Sequence, residues 1–174
     1  SDLLRIGLPV KRVQAYPRNV VDIPVIVKNL GSQPSEVHLQ CQELEAFWLV
    51  GSVERHLAVP AYSEITTHFQ CQPPSADQVS SRDYPFIIVA KNREGSTVET
   101  AGILEILPVG FMQFEAQPQQ QRIPAKRPWL PNWRSRSASF QLMFKNNSNL
   151  LQTVDLEVRG EDVQRCQIQI DPDK

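Results

Sequence analysis

Apolar and polar residues alternate along two segments in the first third of the chain. In residues 21–29 every second side chain is apolar: Val21, Ile23, Val25 and Val27. In residues 36–42 the apolar phase holds Val37, Leu39 and Cys41. Because successive side chains of a β-strand point to opposite faces, both segments are predicted to be strands. The intervening "LGSQPS" predicts a turn, and therefore an antiparallel pair over a core.

Other short apolar runs extend this pattern along the chain. They are "LLRIGLPV" (3–10), "FWLVGS" (47–52, with Trp48 in the core), "YSEITTHFQCQ" (62–72), "RDYPFIIVAKN" (82–92) and "VETAGILEILPV" (98–109). No long stretch has a 3.6-residue period, and 14 prolines against 7 glycines fall mainly between the apolar runs. Short apolar runs separated by prolines, without a helical period, predict an all-β chain.

The first alternating segments recur later in the chain. Phe140, Leu142 and Phe144 match Ile23, Val25 and Val27, and Lys145-Asn146 matches Lys28-Asn29. Val154, Leu156 and Val158 match Val37, Leu39 and Cys41, all at a constant offset of 117 residues, as from Ile23 to Phe140. A repeat of about 100 residues built from short strands is typical of tandem immunoglobulin-like β-sandwiches. We therefore expect a hairpin around Asn146–Ser148, as in the first copy.

The repeat sets the expected domain organisation. Residues 1–108 are predicted to form one immunoglobulin-like sandwich, and residues 109–174 part of a second. In the second copy, counterparts of the strands near Ile65, Phe86 and Ile103 are missing. Half a sandwich leaves apolar surface and strand edges uncovered. We expect a continuing parent chain, a partner chain or the first copy to complete it.

Several quoted stretches resemble a known family. "VIVKNLGSQPSEVHLQC", "FWLV", "HLAVPAYSEITTHFQCQPPS" and "RDYPFIIVAKNREGSTVETAGILEILP" resemble bacterial Ig-like repeats of the alpha-galactosidase-associated and cell-adhesion-related type. Tyr62-Ser63-Glu64 stands where that family has Pro-Gly-Glu. The resemblance covers nearly the whole chain and implies a scaffold or interaction module without catalytic residues. Relatives adjoin either forkhead-associated signalling domains or secreted hydrolases, so the compartment is open, with the cytoplasm favoured over secretion.

Composition and charge narrow the classes of function. The chain has 41% hydrophobic and 21% charged residues and a formal net charge of −1. A nearly neutral chain has no overall electrostatic attraction to nucleic acids or anionic membranes. There is no Gly-rich phosphate loop, nucleophile elbow or CxxC spacing, motifs that phosphate binding, serine hydrolysis or a zinc site would favour. The sequence predicts no enzyme, cofactor or metal, and no segment inserted in a membrane.

One stretch stands out as a candidate binding site. "QQRIPAKRPWLPNWRSRS", residues 120–137, interleaves cationic and indole side chains: Arg122, Lys126, Arg127, Trp129, Trp133, Arg134 and Arg136. Such a mixture could bind a protein partner, a phosphorylated peptide or single-stranded nucleic acid. It is also what an ordinary charged connection would contain, with one tryptophan against the sandwich and arginine stems over it.

Cysteines and histidines give no site by themselves. Cys41 and Cys71 lie on the apolar phases of their strands and Cys166 is in a similar setting, so buried free thiols are favoured over a disulfide between Cys41 and Cys71. His38 and His68 fall on polar phases and are predicted at the surface. The expected function is thus a non-catalytic spacer or protein-binding scaffold of a larger bacterial protein. The alternative is a carbohydrate-binding accessory module of a secreted hydrolase, with Trp129 and Trp133 as its platform.

Overall fold

The computed structural model describes residues 3–122, 137–161, 163 and 167–171, and this part of the chain is all-β. Its strands are β1 (Leu4–Gly7), β2 (Arg12–Ala15), β3 (Val21–Asn29), β4 (Ser35–Gln42), β5 (Glu54–Val59), β6 (Ser63–Cys71), β7 (Asp83–Asn92), β8 (Thr97–Ile106), β9 (Met112–Gln117) and β10 (Gln141–Asn146). A 3₁₀ turn covers Ala46–Trp48. None of the described residues belongs to a helix of the length and apolarity that crossing a bilayer requires.

The first eight strands form two sheets with a shared core. One sheet has the order β1-β3-β6, and the other has the order β2-β8-β7-β4-β5. All neighbours are antiparallel except β2 and β8, which run parallel. The inward side chains belong to one cluster, including Ile23, Val25 and Phe69 from the first sheet and Leu39, Phe86, Ile88 and Leu104 from the second. This packing of two sheets face to face is a β-sandwich.

The predicted alternation within strands is confirmed. Every second residue of β3 and of β4 is buried, including Ile23, Val27 and Leu39. In β8, Gly102 leaves room for neighbours, because a Cβ there would overlap the Phe86 ring and come within 2.9 Å of Leu8 Cδ1. The sandwich interior is therefore filled as the period-two pattern requires.

Three predicted local structures are wrong. Strands β3 and β4 do not pair, because residues 30–34 carry the chain from one sheet to the other. The "FWLVGS" segment begins in the 3₁₀ turn rather than a strand, although Trp48 is buried as expected. Residues 150–160 contain no strand, so Asn146–Ser148 is not a hairpin turn between two strands.

The last two strands form a separate small sheet. β9 and β10 pair in antiparallel register, with Phe114 opposite Phe144 and Met112 opposite Asn146. Asn149 links this sheet to the sandwich. Its Oδ1 accepts from Val109 N–H at 2.8 Å, its Nδ2 donates to the Leu107 carbonyl at 3.1 Å, and its carbonyl accepts from Ser81 N–H at 2.8 Å.

Candidate interaction surfaces and a histidine pair

The basic stretch singled out in the sequence lies almost wholly beyond the described residues. Arg122 is exposed at the end of the segment that follows β9. The other six residues of the predicted loop lie outside the described residues: Lys126, Arg127, Trp129, Trp133, Arg134 and Arg136. The loop stays a prediction, placed by its flanks in the connection between β9 and β10.

Two Lys-Asn corners end strands β3 and β10 with the same hydrogen bonds. Asn29 Oδ1 accepts from the N–H of Gly31 at 2.9 Å, and Asn29 Nδ2 donates to the carbonyl of Gln33 at 2.7 Å. Asn146 repeats both bonds at the same spacing, with Ser148 N–H at 3.0 Å and the Leu150 carbonyl at 2.7 Å.

The backbone bond beside each corner is also the same. Leu30 N–H donates to the Leu3 carbonyl at 2.7 Å, and Asn147 N–H donates to the Phe111 carbonyl at 2.9 Å. β1 and β9 therefore lie on corresponding sides of β3 and β10. The connection between the paired strands is longer in the second case, since Met112 pairs with Asn146 whereas Leu4 pairs with Asn29.

The two corners differ in burial. Asn29 is buried, and its Nδ2 also donates to the Val59 carbonyl at 3.1 Å across the sandwich. Asn146 is partly exposed to solvent along with the whole of β10. The same pair of local hydrogen bonds therefore occurs in the packed core at Asn29 and on an open sheet at Asn146.

One face of the β9–β10 sheet is apolar and uncovered within the described residues. Phe114 and Phe144 contact each other with ring centroids 5.1 Å apart, yet they are 61% and 38% exposed. Phe140 and Leu142 extend this face and are also exposed. The residues at the 117-residue offset in β3, namely Ile23, Val25 and Val27, are all fully buried. We call this surface, made by Phe114, Phe140, Leu142 and Phe144, the open apolar face.

A pocket of about 520 Å³ is lined by residues within 43–48 and by residues just before and at the start of β7. Its aromatic lining includes Phe47, Trp48 and Tyr84, and its charged lining includes Glu43 and Arg82. The Trp48 and Tyr84 rings meet edge to face at 5.0 Å. Phe47 is 74% exposed beside them, while the buried Trp48 Nε1 has no hydrogen-bond partner. The pocket thus combines an accessible aromatic surface with polar groups at its rim.

An exposed ion pair lies at the β2 edge of the larger sheet. Arg12 donates two hydrogen bonds to Asp83, at 2.8 and 3.1 Å, and lies 3.4 Å from Glu105. The hydrogen bond and charge of Asp83 raise the pKa of Arg12, and the Arg12 hydrogen bond lowers the pKa of Asp83. Because both side chains are exposed to solvent, this ion pair contributes little to the stability of the fold.

Two histidines meet on the outer face of the larger sheet. His38 in β4 is directly opposite His56 in β5, and their imidazole rings stack with centroids 4.6 Å apart. Glu54 Oε2 lies 3.3 Å from His38 Nε2. This nitrogen is buried and makes no hydrogen bond, although the Glu54 carboxylate is within ion-pair range.

The two imidazoles and the carboxylate form a possible set of metal ligands. One nitrogen or oxygen from each of His38, Glu54 and His56 lies within 4.8 Å of the other two. Sequence spacing does not reveal this group, since the three residues come together only through the β4–β5 register. The period-two spacing of the apolar residues Val53, Leu57 and Val59 was the available signal for β5.

No protein-family model matches the chain, and no curated protein sequence matches it. Solved structures do match it. A family 123 glycoside hydrolase from Clostridium perfringens is 8% identical over 60% of this chain, with a TM-score of 0.48, and this chain spans only 27% of that enzyme.

Two other matches cover most of their own chains. A type I cohesin–dockerin complex structure from Clostridium thermocellum is 11% identical over 59% of this chain and 99% of that chain, with a TM-score of 0.40. The Calx CBD1 domain is 15% identical over 60% of this chain and 96% of that chain, with a TM-score of 0.39.

Proposed function

We propose that this chain is a non-catalytic interaction segment of tandem immunoglobulin-like units, related to bacterial Ig-like repeats, whose second unit is completed by a protein partner. The strand order supports the immunoglobulin-like assignment of the first unit. Strands β1, β3 and β6 correspond to A, B and E, while β4, β7 and β8 correspond to C, F and G. The repeated Asn29 and Asn146 corners support a common ancestry of the two units.

The open apolar face carries the proposal. In the first unit, β3 buries Ile23, Val25 and Val27 against the five-stranded sheet. In the second unit the residues at the same offset meet solvent. Because burial of apolar side chains drives association as it drives folding, this face favours a partner that supplies the opposite sheet.

The chain also contains a segment suited to that opposite sheet. Residues 152–159 correspond by offset to β4, and their apolar phase holds Val154, Leu156 and Val158. These three side chains are exposed and do not belong to a strand. We infer that they become a strand when the partner binds, as a segment that orders on association does. The partner is accordingly a protein that offers a sheet edge and an apolar face.

Hydrogen exchange tests this proposal. The chain alone, at low micromolar concentration, should exchange the amides of residues 152–158 quickly, since they have no ladder of hydrogen bonds. In the native assembly isolated from its source, these amides and those of β10 should exchange at least about 100-fold more slowly. Phe144→Asp should abolish this protection, because it places a charge on the open apolar face.

Phe47→Asp is the matched control, since it adds the same charge at an exposed phenylalanine of the first unit. It should leave the protection intact. Fast exchange of 152–158 in the native assembly would refute the proposal, as would full protection in the dilute chain alone. Equal effects of Phe144→Asp and Phe47→Asp would also refute a role for the open apolar face.

The aromatic pocket favours one second function, carbohydrate binding. Aromatic rings with adjacent polar groups are suited to a sugar ring, and Phe47, Tyr84 and Arg82 supply both. Binding to a panel of immobilised glycans, lost in Phe47→Ala and kept in Phe144→Asp, would favour this function over the first. Absence of glycan binding would remove it.

A further inference from the structure

We propose that His38, His56 and Glu54 form a binding site for a divalent transition-metal ion, of the zinc or copper class, at the β5 edge of the larger sheet. Imidazole nitrogens are preferred ligands for these ions, and a carboxylate oxygen completes a common three-ligand set. The site is distinct from the open apolar face and from the aromatic pocket, so it does not depend on the proposed function.

The backbone places the two imidazoles in the right relation. His38 and His56 are register partners in adjacent antiparallel strands, which holds their Cβ atoms roughly 5 Å apart. Glu54 is two residues from His56 in β5 and so lies on the same face of the sheet. All three side chains therefore leave the backbone toward one point above the sheet.

Small side-chain rotations would bring the ligand atoms to a metal. They lie within 4.8 Å of one another. Two nitrogens at zinc-bond distance from one tetrahedral ion are roughly 3.4 Å apart. Turning the stacked rings about their side-chain bonds closes this gap without moving either strand. The rings are stacked with centroids 4.6 Å apart, so the two imidazoles begin this rotation as neighbours.

The unpaired nitrogen of His38 points to a ligand independently of the distances. Its Nε2 atom is shielded from water and makes no hydrogen bond. An unsatisfied buried polar atom destabilises the folded chain, and a metal–nitrogen bond would remove that cost. Metal binding therefore gives the His38 nitrogen an interaction it otherwise lacks, whereas a histidine at the surface already has water as a partner.

Nearby charges decide whether a cation is accepted. Glu54 is a ligand, and Glu36 lies on the same outer face in β4, two residues from His38. Lys91 of β7 is the register partner of His38 on its other side and opposes a cation. Its side chain is exposed at the strand end, so the ammonium group can turn into solvent. Two carboxylates therefore outweigh one movable ammonium group around the site.

A bound ion would fasten the edge strand β5 to β4. β5 has β4 as its partner in the sheet and forms one edge. A metal ion that binds the folded chain stabilises it by mass action. Because His56 and Glu54 are exposed, the ion would keep open positions for water or for a side chain of a partner protein.

Calorimetric titration of the chain with zinc chloride tests the site, in a Cys166→Ser background that removes a competing thiol. We expect one ion per chain. His38→Gln and His56→Gln should each weaken binding more than about tenfold, and Glu54→Gln should weaken it less. His68→Gln is the matched control, since His68 is exposed on the outer face of the other sheet, and it should leave binding unchanged.

The imidazole NMR signals give a second readout that needs no substitution of a ligand. With zinc, the ring resonances of His38 and His56 should shift together while those of His68 stay in place. Saturable binding that persists in His56→Gln would overturn the proposal. It would equally be overturned by unshifted His38 and His56 resonances at a zinc excess, or by the absence of saturable binding.

Discussion

At the scale of single residues, the alternation within strands correctly predicts the burial of Cys41 and Cys71. Their position on apolar phases predicts burial, and Cys41 and Cys71 are indeed buried free thiols. Burial raises the pKa of Cys41 to about 11 and that of Cys71 to about 12, where the nearby Cys41 contributes as well. The cause is that a thiolate loses its hydration in an apolar interior.

Thiol reactivity should follow this burial. In Cys166→Ser, neither Cys41 nor Cys71 should react appreciably with a disulfide reagent at about pH 8, because the thiolate is the reactive form. Both should react once guanidinium unfolds the chain. Reaction of the native chain at the unfolded rate would contradict this prediction, and reaction of a single thiol would locate the accessible one.

The same shifts set the sign of an alkaline effect on stability. Unfolded thiols ionise near pH 9, before the folded ones. The folded state therefore holds more protons between about pH 9 and 12, and stability falls as the pH rises through this range. Urea midpoints of the cysteine-to-serine variants, compared between neutral and alkaline pH, give the size of the effect.

At the scale of elements, the stability contributed by the Asn29 corner at the end of β3 depends on its burial. Asn29 is buried and makes two local hydrogen bonds and one to the Val59 carbonyl, of which those to Gly31 N–H and Val59 are buried. Asn29→Ala should lower the free energy of unfolding by about 2–3 kcal/mol, because it leaves buried backbone groups unpaired. Urea denaturation followed by circular dichroism measures this loss.

Asn146→Ala is the matched control for that corner. Asn146 makes the same two local bonds at an exposed position, where water can replace them. Its substitution should cost at most about 1 kcal/mol. Equal costs at the two corners would mean that burial of Asn29 contributes nothing beyond the local bonds.

Sequence patterns predicted which side chains face the core better than which strands are neighbours. The alternation in β3, β4 and β6 is a physical consequence of the pleat, so buried positions such as Val25, Leu39 and Phe69 could be predicted. A short connection such as 30–34 suits a hairpin as well as a corner between sheets. Packing of the whole sandwich decides between a hairpin and a corner, and the local sequence carries no information on that packing.

The histidine pair could not be predicted for a related reason. β5 was not recognised among the strands, and without its register His56 has no relation to His38. The 3₁₀ turn at Ala46–Trp48 was also missed, because three residues are too few to show a period. The buried Trp48 was still predicted, since its large apolar side chain belongs in a core whatever its backbone does.

At the scale of the whole molecule, the chain passes from the sandwich to the β9–β10 sheet through Gly110. This residue has φ of 91°, a conformation that favours glycine. A Cβ at Gly110 would also overlap the Asn147 carbonyl. Two hydrogen bonds flank Gly110, from Asn147 N–H to the Phe111 carbonyl at 2.9 Å and from Asn149 N–H to the Val109 carbonyl at 3.2 Å. The bonds of Asn149 with Leu107 and Ser81 connect this segment to the sandwich.

Gly110→Ala should therefore open the junction while leaving the sandwich folded. We expect the amides of Asn147 and Asn149 to exchange more than about tenfold faster, while the amides of β7 and β4 keep their protection.

Gly95→Ala is the matched control, because Gly95 has φ of 88° but nothing within 4 Å of a new Cβ. It carries the same backbone strain without the overlap, so its effects should stay within the β7–β8 turn. If both substitutions left the exchange of Asn147 and Asn149 unchanged, the contact with Gly110 would not be what joins the β9–β10 sheet to the sandwich. The hydrogen bonds of Asn149 with Leu107 and Ser81 would then account for the attachment of the β9–β10 sheet.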